Sequence, residues 1–478
     1  MLLPTLLTSA MVPLRRSIAG QTRFPVRRFW PAGLLALLLG IASLATATAA
    51  LRAQEPGSNL RISVITIGPG AQVWERFGHN AIMLEDTRTG RAVWYNYGMF
   101  DFGAADFWPR FMKGDMRYWM QSGQVRLELP FYFQSNRTVW AQELDIEPAQ
   151  RLEIKRFLEW NALPENKFYH YDYFRDNCST RVRDVVDRVI GGAIREQTEE
   201  IPAGTSFRSE TRRLTESSLP VYIGIELGLA RPTDKPISRY EEMFLPMALH
   251  RYLRDVTVTG PDGKSHPLVK SERTLYTSTA TPPPAKPPAW WPWFLLAGLI
   301  VGGSLYAMSR SFETSAPART GFLVLGGAWA LFAGLGGLVL AALWGLTDHW
   351  ATYHNENLLQ LSPVALFLAF TLRRVAWRPR KPHRIAERLA MFVAVSSLAG
   401  VALKLLPGAS QVNWEIIAFA LPVNLGLAAA VIRHRARVGM RGATMETAHA
   451  ESAGVNGERT WRTSLRSGLS SPFVSHSE

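Results

Sequence analysis

Between residues 290 and 432 the chain carries five apolar stretches, at about 290–309, 321–346, 358–372, 388–407 and 414–432. Each approaches the roughly 20 residues an α-helix needs to cross the hydrocarbon layer, the third being short and drawing on its flanks. Backbone in lipid must satisfy its own hydrogen bonds, so this region is restricted to an all-α transmembrane bundle. Basic residues orient it. The stretch 373–387 holds Arg373, Arg374, Arg378, Arg380, Lys381 and Arg384 against Glu387, and the last span is followed by Arg433, Arg435 and Arg437. The alternate connections, 347–357 and 408–413, contain no Lys or Arg. Lys and Arg collect in cytoplasmic loops, so the first span runs inward and the residues before it lie outside the cytoplasm.

The N-terminus gives the same topology. Arg15, Arg16, Arg23, Arg27 and Arg28 precede an apolar run from Trp30 to Ala50 that ends in small residues. This pattern is a secretory signal, cleaved near Ala50 or Ala53 or retained as an anchor. The expected organisation is a signal or anchor over 1–53, an outer domain over 54–280 and a semi-rigid tether over 281–289 (TPPPAKPPA). The five spans occupy 290–432, and a basic tail over 433–478 has a composition typical of disorder. Much of the formal net charge of +14 lies beside apolar segments, which reads as membrane topology and not as nucleic-acid binding.

The outer domain reads as α+β. Residues 60–67 alternate as a strand, and 78–85 with 91–97 form a strand pair around the turn DTRTG (86–90). Next come a short amphipathic stretch over 106–113 and an extended segment over 117–132. Pro148 opens a helix to about Asn161. Asp176 or Asn177 caps a second helix, with Val182, Val185, Val186, Val189 and Ile190 on one face and Gly191-Gly192 as its stop. Residues 193–250 are helix-rich, and 252–276 read as a hairpin turning at GPDGK (260–264).

Cys178 is the only cysteine in 478 residues, so the exported domain has no internal disulfide to form. The sulfur is an inert core residue, an intermolecular cross-linker or a nucleophile. Its place in the first turn of a helix favours the last: unpaired N–H groups and the helix dipole lower a thiol pKa and stabilise an oxyanion. The polar string around it (Arg175, Asp176, Asn177, Ser179, Thr180) argues against an apolar core position. A thiol nucleophile needs a base, and the outer domain offers His79, His170, His250 and His266. His79 opens a strand directly after Gly78; His170 lies among aromatics, His250 on a helix and His266 in a turn. A second polar cluster, Asp348, His349, His354, Asn355, Glu356 and Asn357, falls on the outer side between the second and third spans. Its Asp/His/His spacing matches no compact ligand set, so no metal or cofactor is expected; it is a solvated loop or a functional element at the membrane face. Arg181, Arg183 and Arg188 are expected to form surface pairs with Asp184 and Asp187.

Three strings, WERFGHNAI (74–82), YNYG (95–98) and YHYDYFRDNCSTRVRD (169–184), resemble the outer domain of the Lnb-type bacterial lipoprotein N-acyltransferases. TDHWATYHNENLLQLSPVAL (347–366) is similar to a signature in the membrane half of the same family. The resemblance implies a permuted relative of the papain and NlpC/P60 cysteine hydrolases, an antiparallel sheet with packed helices. It implies Cys178 as nucleophile and His79 as base; the match does not fix a third group, for which Asn96 is the candidate. It also draws attention to Asn177 and Tyr173 beside the thiol, and to Asp348, His349, Asn355 and Asn357 as residues orienting a lipid head group. The implied partners are a phospholipid acyl donor, a diacylglyceryl lipoprotein acceptor and the inner membrane. Two alternatives are a membrane-tethered cysteine hydrolase acting on stem peptides or lipid esters, and a non-catalytic envelope scaffold.

Overall fold

The computed structural model describes residues 55–377, 383–406 and 411–433. The signal segment, part of the basic 373–387 stretch and the tail after Arg433 lie outside the described residues. The chain divides into two units, Met1–Ser58 and Asn59–Glu478, and the second contains both the sheet and the apolar spans.

The main strands are β1 (Leu60–Ile67), β2 (His79–Asp86), β3 (Arg91–Met99), β4 (Arg117–Gln124), β5 (Val139–Leu144), β6 (Phe168–His170) and β11 (Val269–Tyr276). These seven form one antiparallel sheet in the order β11-β5-β1-β2-β3-β4-β6. The remaining strands, β7 (Pro202–Ser206), β8 (Pro236–Ser238), β9 (Thr257–Thr259) and β10 (Ser265–Pro267), make two small hairpins. Both faces of the sheet are covered. Ile62, Val64, Ile82, Leu84 and Tyr97 meet the helices α3 (Pro148–Asn161) and α4 (Cys178–Val189), with Ile154, Leu158, Val182, Val185, Val186 and Val189 buried between them. Burying each such side chain contributes about 1.5–3 kcal/mol, which holds α4 against the sheet. Ile65, Ile67, Ala81, Met83 and Trp94 point to the opposite face.

That opposite face corrects one expectation. The extended segment over 117–132 ends at Gln124, and Val125–Gln134 is a helix, α2, with α1 (Phe107–Lys113) preceding it in the chain. Val125, Leu129, Tyr132 and Phe133 pack on the Ile65/Trp94 face, a helical spacing hidden in an aromatic-rich run. The 252–276 segment also divides: β9 and β10 form the hairpin, while β11 joins the main sheet beside β5.

Among the described residues, five helices are long and apolar enough to cross a membrane: Trp291–Ser309, Ala316–Leu346, Trp350–Trp377, Arg384–Leu405 and Trp414–Arg433. Glycines let their backbones meet, the usual device where lipid supplies no hydrophobic drive between helices. A Cβ on Gly302 would lie 2.2 Å from the Pro422 carbonyl oxygen, and one on Gly426 would lie 2.2 Å from the Gly302 carbonyl oxygen. The outer domain is bonded to this bundle. Arg212 pairs with Glu415 at the start of the fifth span and lies 3.5 Å from Glu226, and the Ala230 N–H donates to the Ala351 carbonyl at 2.7 Å. Gly426→Val should therefore separate the first and fifth spans and cost about 1–3 kcal/mol, read as a lowered unfolding midpoint in detergent; an unchanged midpoint would show that the contact carries no load.

Candidate active site

Asn177 sets the start of α4. Its Oδ1 accepts the N–H groups of Ser179 at 2.8 Å and Thr180 at 3.0 Å, while its Nδ2 donates to the carbonyls of Tyr173 and Phe244, both at 2.9 Å. The Thr180 hydroxyl in turn accepts the Asn177 N–H at 2.8 Å. These bonds engage the polar atoms of the Asn177 side chain in capping α4 and tethering it to two carbonyls. Tyr173 itself is exposed, its ring edge-on to Tyr171 at 5.6 Å.

Cys178 is a free, partly buried thiol whose inner side packs on the domain core. Its Cβ lies 3.5 Å from where a Cβ on Gly98 would stand, so the Gly98 backbone borders the thiol. Gly98 has φ +87°, which suits glycine, at the bulge where β3 leaves register with β4. Backbone N–H groups of Asn80, Ser179 and Cys178 itself lie against the sulfur. Burial nevertheless pushes the thiol pKa up from 9.0, and these groups with Arg137 offset only part of the rise. A net lowering by the helix terminus is not the outcome, because desolvation of the thiolate outweighs the dipole.

His79 is the first residue of β2, opposite Ile67 on β1. Its Nε2–H donates to Asn96 Oδ1 at 3.0 Å. Asn96, 5% exposed, sits on β3 opposite Ala81. The amide oxygen only accepts, so Nε2 carries the hydrogen and Nδ1 keeps a free lone pair. Burial drives the imidazole pKa down to about 4; the Asn96 bond raises it and the Arg137 charge lowers it. The thiol touches the N–H of Asn80, which belongs to the peptide joining His79 to Asn80. The start of β2 thus meets the helix-start thiol through its backbone, in a resting state of neutral thiol and neutral ring. Among the described residues no hydrogen bond joins them, and proton transfer requires Nδ1 to close on Sγ, as happens when apo sites tighten around a ligand.

The other histidines are engaged elsewhere. His170 Nε2 bonds the Gly114 carbonyl at 3.0 Å, His250 is buried 3.3 Å from Glu272, and His266 lies 3.5 Å from Asp145. Of the arginines of α4, Arg183 pairs with Asp184 as expected, while Arg181 and Arg188 find other partners. Arg181 pairs with Asp176, Arg183 donates to Asp184 and to the Tyr240 carbonyl, and Arg188 covers the Phe157 ring. Asp187 instead accepts the Ile194 N–H at 2.7 Å.

Two further groups border the thiol. Arg137 is 4% exposed; its Nε donates to the Gly68 carbonyl at 2.9 Å, its Nη1 lies 3.4 Å from Glu75, and its Nη2 is buried without a partner. Its charge acts on both Cys178 and His79. The Tyr169 hydroxyl is likewise buried without a partner, 3.9 Å from the Cβ position of Gly98. Sequence patterning gave no sign of Arg137, which reaches the site from the loop after α2.

The outer polar cluster joins the two halves of the protein. Asn355 donates to the carbonyls of Leu227 and Gly228 and accepts from Gln411; Asn357 donates to those of Glu226 and Leu227 and accepts from Asn413. Both are buried and fully bonded, and they clamp the two halves together. The Asp348 N–H donates to the Lys113 carbonyl at 2.7 Å and His349 Nε2–H to the Phe111 carbonyl at 2.8 Å, leaving the Asp348 side chain exposed.

An antiparallel α+β domain bearing a thiol, an imidazole and an amide, fixed on five apolar helices, defines a multi-pass membrane protein with a periplasmic domain. Residues 47–214 match the Lnb N-terminal periplasmic domain and residues 293–407 the Lnb transmembrane domain. The chain belongs to the Lnb family. Comparison with curated proteins and with solved structures gave no match.

The electrostatics give a direct expectation. Alkylation of Cys178 by iodoacetamide should rise with a midpoint above 9.0, and Arg137→Met should move it higher still. A wild-type midpoint near 7 would contradict the neutral resting pair. Because His79 stays unprotonated down to about pH 4, turnover should hold between pH 7 and pH 5.5 and fall only as the ring takes its proton.

Proposed function

We propose that this protein is a membrane-bound acyltransferase that moves an acyl chain from a phospholipid, through a thioester on Cys178, to the N-terminal amine of a bacterial lipoprotein. One observation carries the reading: the strand that begins with His79, its Nε2 fixed on Asn96, turns its next backbone N–H, that of Asn80, to a helix-start thiol. The spans supply the setting, since they hold this domain at the outer side of a bilayer.

In the first half-reaction Nδ1 of His79 takes the thiol proton as Sγ attacks the ester carbonyl carbon. A C–S bond forms, and the negative charge on oxygen is met by backbone N–H at the start of α4 and by the Tyr169 hydroxyl. The ester C–O bond then breaks, and the imidazolium returns the proton to the departing alkoxide, releasing lysophospholipid. In the second half the lipoprotein α-amine attacks the thioester; a C–N bond forms, the C–S bond breaks, and the amine proton passes through His79 to sulfur. Asn96 keeps the ring in the tautomer both steps need. Arg137 balances the charge that sulfur gains and loses. Family membership supports an enzyme of lipoprotein processing, and a thioester suits aminolysis where a membrane edge restricts water.

The hydrolase alternative shares the nucleophile and differs in the acceptor. Mass analysis of lipoprotein N-termini separates them. Cells relying on this gene should carry N-acylated lipoproteins, and Cys178→Ser or His79→Ala should leave the amines free, the latter slowing transfer about a hundredfold to ten-thousandfold. Unchanged N-acylation in both variants would overturn the proposal and favour a scaffold.

A further inference from the structure

The periplasmic domain exposes a cluster of large apolar side chains next to its membrane anchor. Trp74 is 55% exposed, Phe102 46%, Trp108 56% and Met112 68%. They are one surface: Trp74 meets Phe102 at 5.6 Å between ring centroids, and Phe102 meets Trp108 at 6.2 Å. Contiguous exposed apolar groups mark an interaction site more often than chance. The attachment of this cluster indicates its partner. Helix α1, which carries Trp108 and Met112, is bonded through its last residues to Asp348 and His349, immediately beyond the outer end of the second span at Leu346. The fit there is close, for a Cβ on Gly114 would lie 3.0 Å from the Asp348 carbonyl carbon. The cluster therefore sits at the level where spans leave the bilayer, where Trp and other large apolar groups partition into the interface.

Rings also lead inward from this surface. Phe102 packs on Phe100 at 4.7 Å, Phe100 on Tyr118 at 5.1 Å and Tyr118 on Tyr171 at 4.2 Å. Tyr171 then lies 3.7 Å from the Cβ position of Gly98, which Cys178 Cβ approaches to 3.5 Å. We propose that the Trp74–Phe102–Trp108–Met112 surface inserts into the outer leaflet and that the ring path behind it guides an acyl chain of a leaflet phospholipid to Cys178. The second part rests on the acyl-transfer reading; the first does not.

Two measurements on the full chain in phospholipid vesicles separate these parts. With Cys178→Ser as background, a fluorophore on Met112→Cys should be quenched by phospholipids spin-labelled near the head group. The same label on Thr89→Cys, in the β2–β3 turn at the far end of the sheet, should not. Equal quenching at both positions, or none at 112, overturns membrane insertion. In the catalytic chain, Trp108→Ser with Met112→Ser should lower Cys178 acylation by long-chain vesicle lipid relative to a soluble short-chain ester at least tenfold. An unchanged ratio overturns the acyl route. No acylation of the wild type by either donor would instead refute the acyl-transfer reading, while the quenching result would stand. Quenching at 112 that disappears when a second protein binds the cluster would replace the lipid with a protein partner.

Discussion

Four hydrogen bonds made by the Asn177 side chain fix where α4 begins and tie that point to Tyr173 and Phe244. The position of Cys178 depends on them. From Val182 onward the helix is committed by its buried valines, so a shift of the cap would move the sulfur off the His79–Asn80 peptide. The sheet sets the other side of the pair. Antiparallel register places His79 opposite Ile67, and its ring reaches across to Asn96 on the neighbouring strand. A helix tip and two adjacent strands thus meet with little backbone freedom, which is the condition for a preorganised site.

The electrostatic character arises from that crowding. Burial raises the thiol and lowers the imidazole, so the two do not form a resting ion pair. A neutral thiol resists oxidation better than a thiolate, which matters in an oxidising compartment. In the proposed mechanism reactivity arrives with the substrate, when Nδ1 closes on sulfur and the developing charge finds Arg137 and unpaired donors already in place. The arrangement favours a donor that excludes water on binding, and a lipid ester does so.

Local signals made much of this legible. Pro148 and the Asn177 cap marked two helices at their observed starts, and the DTRTG turn marked the β2–β3 pair. Helix α2 reads as a strand because its core positions lie within a run rich in strand-favouring residues, and only the packed sheet reveals the spacing. Asn96 was reachable because it lies on the strand adjacent to His79. The tethering bonds of Asn177 and the interface bonds of Asn355 and Asn357 were not legible, because polar side chains in a motif cap helices and close interfaces as readily as they meet a ligand. Arg137 and Tyr169 reach the thiol through tertiary contacts that no periodicity announces.

The membrane half does more than anchor. Through Asn355, Asn357 and the Arg212–Glu415 pair it holds the periplasmic domain in a fixed pose on the apolar helices. The central claim, that Cys178 carries an acyl chain, is tested most directly by incubating the purified protein with phospholipid radiolabelled in its acyl chain and omitting the acceptor. The account predicts a hydroxylamine-sensitive label on the Cys178 peptide that is lost on adding a diacylglyceryl lipoprotein peptide. Turnover without any labelled Cys178 would contradict it.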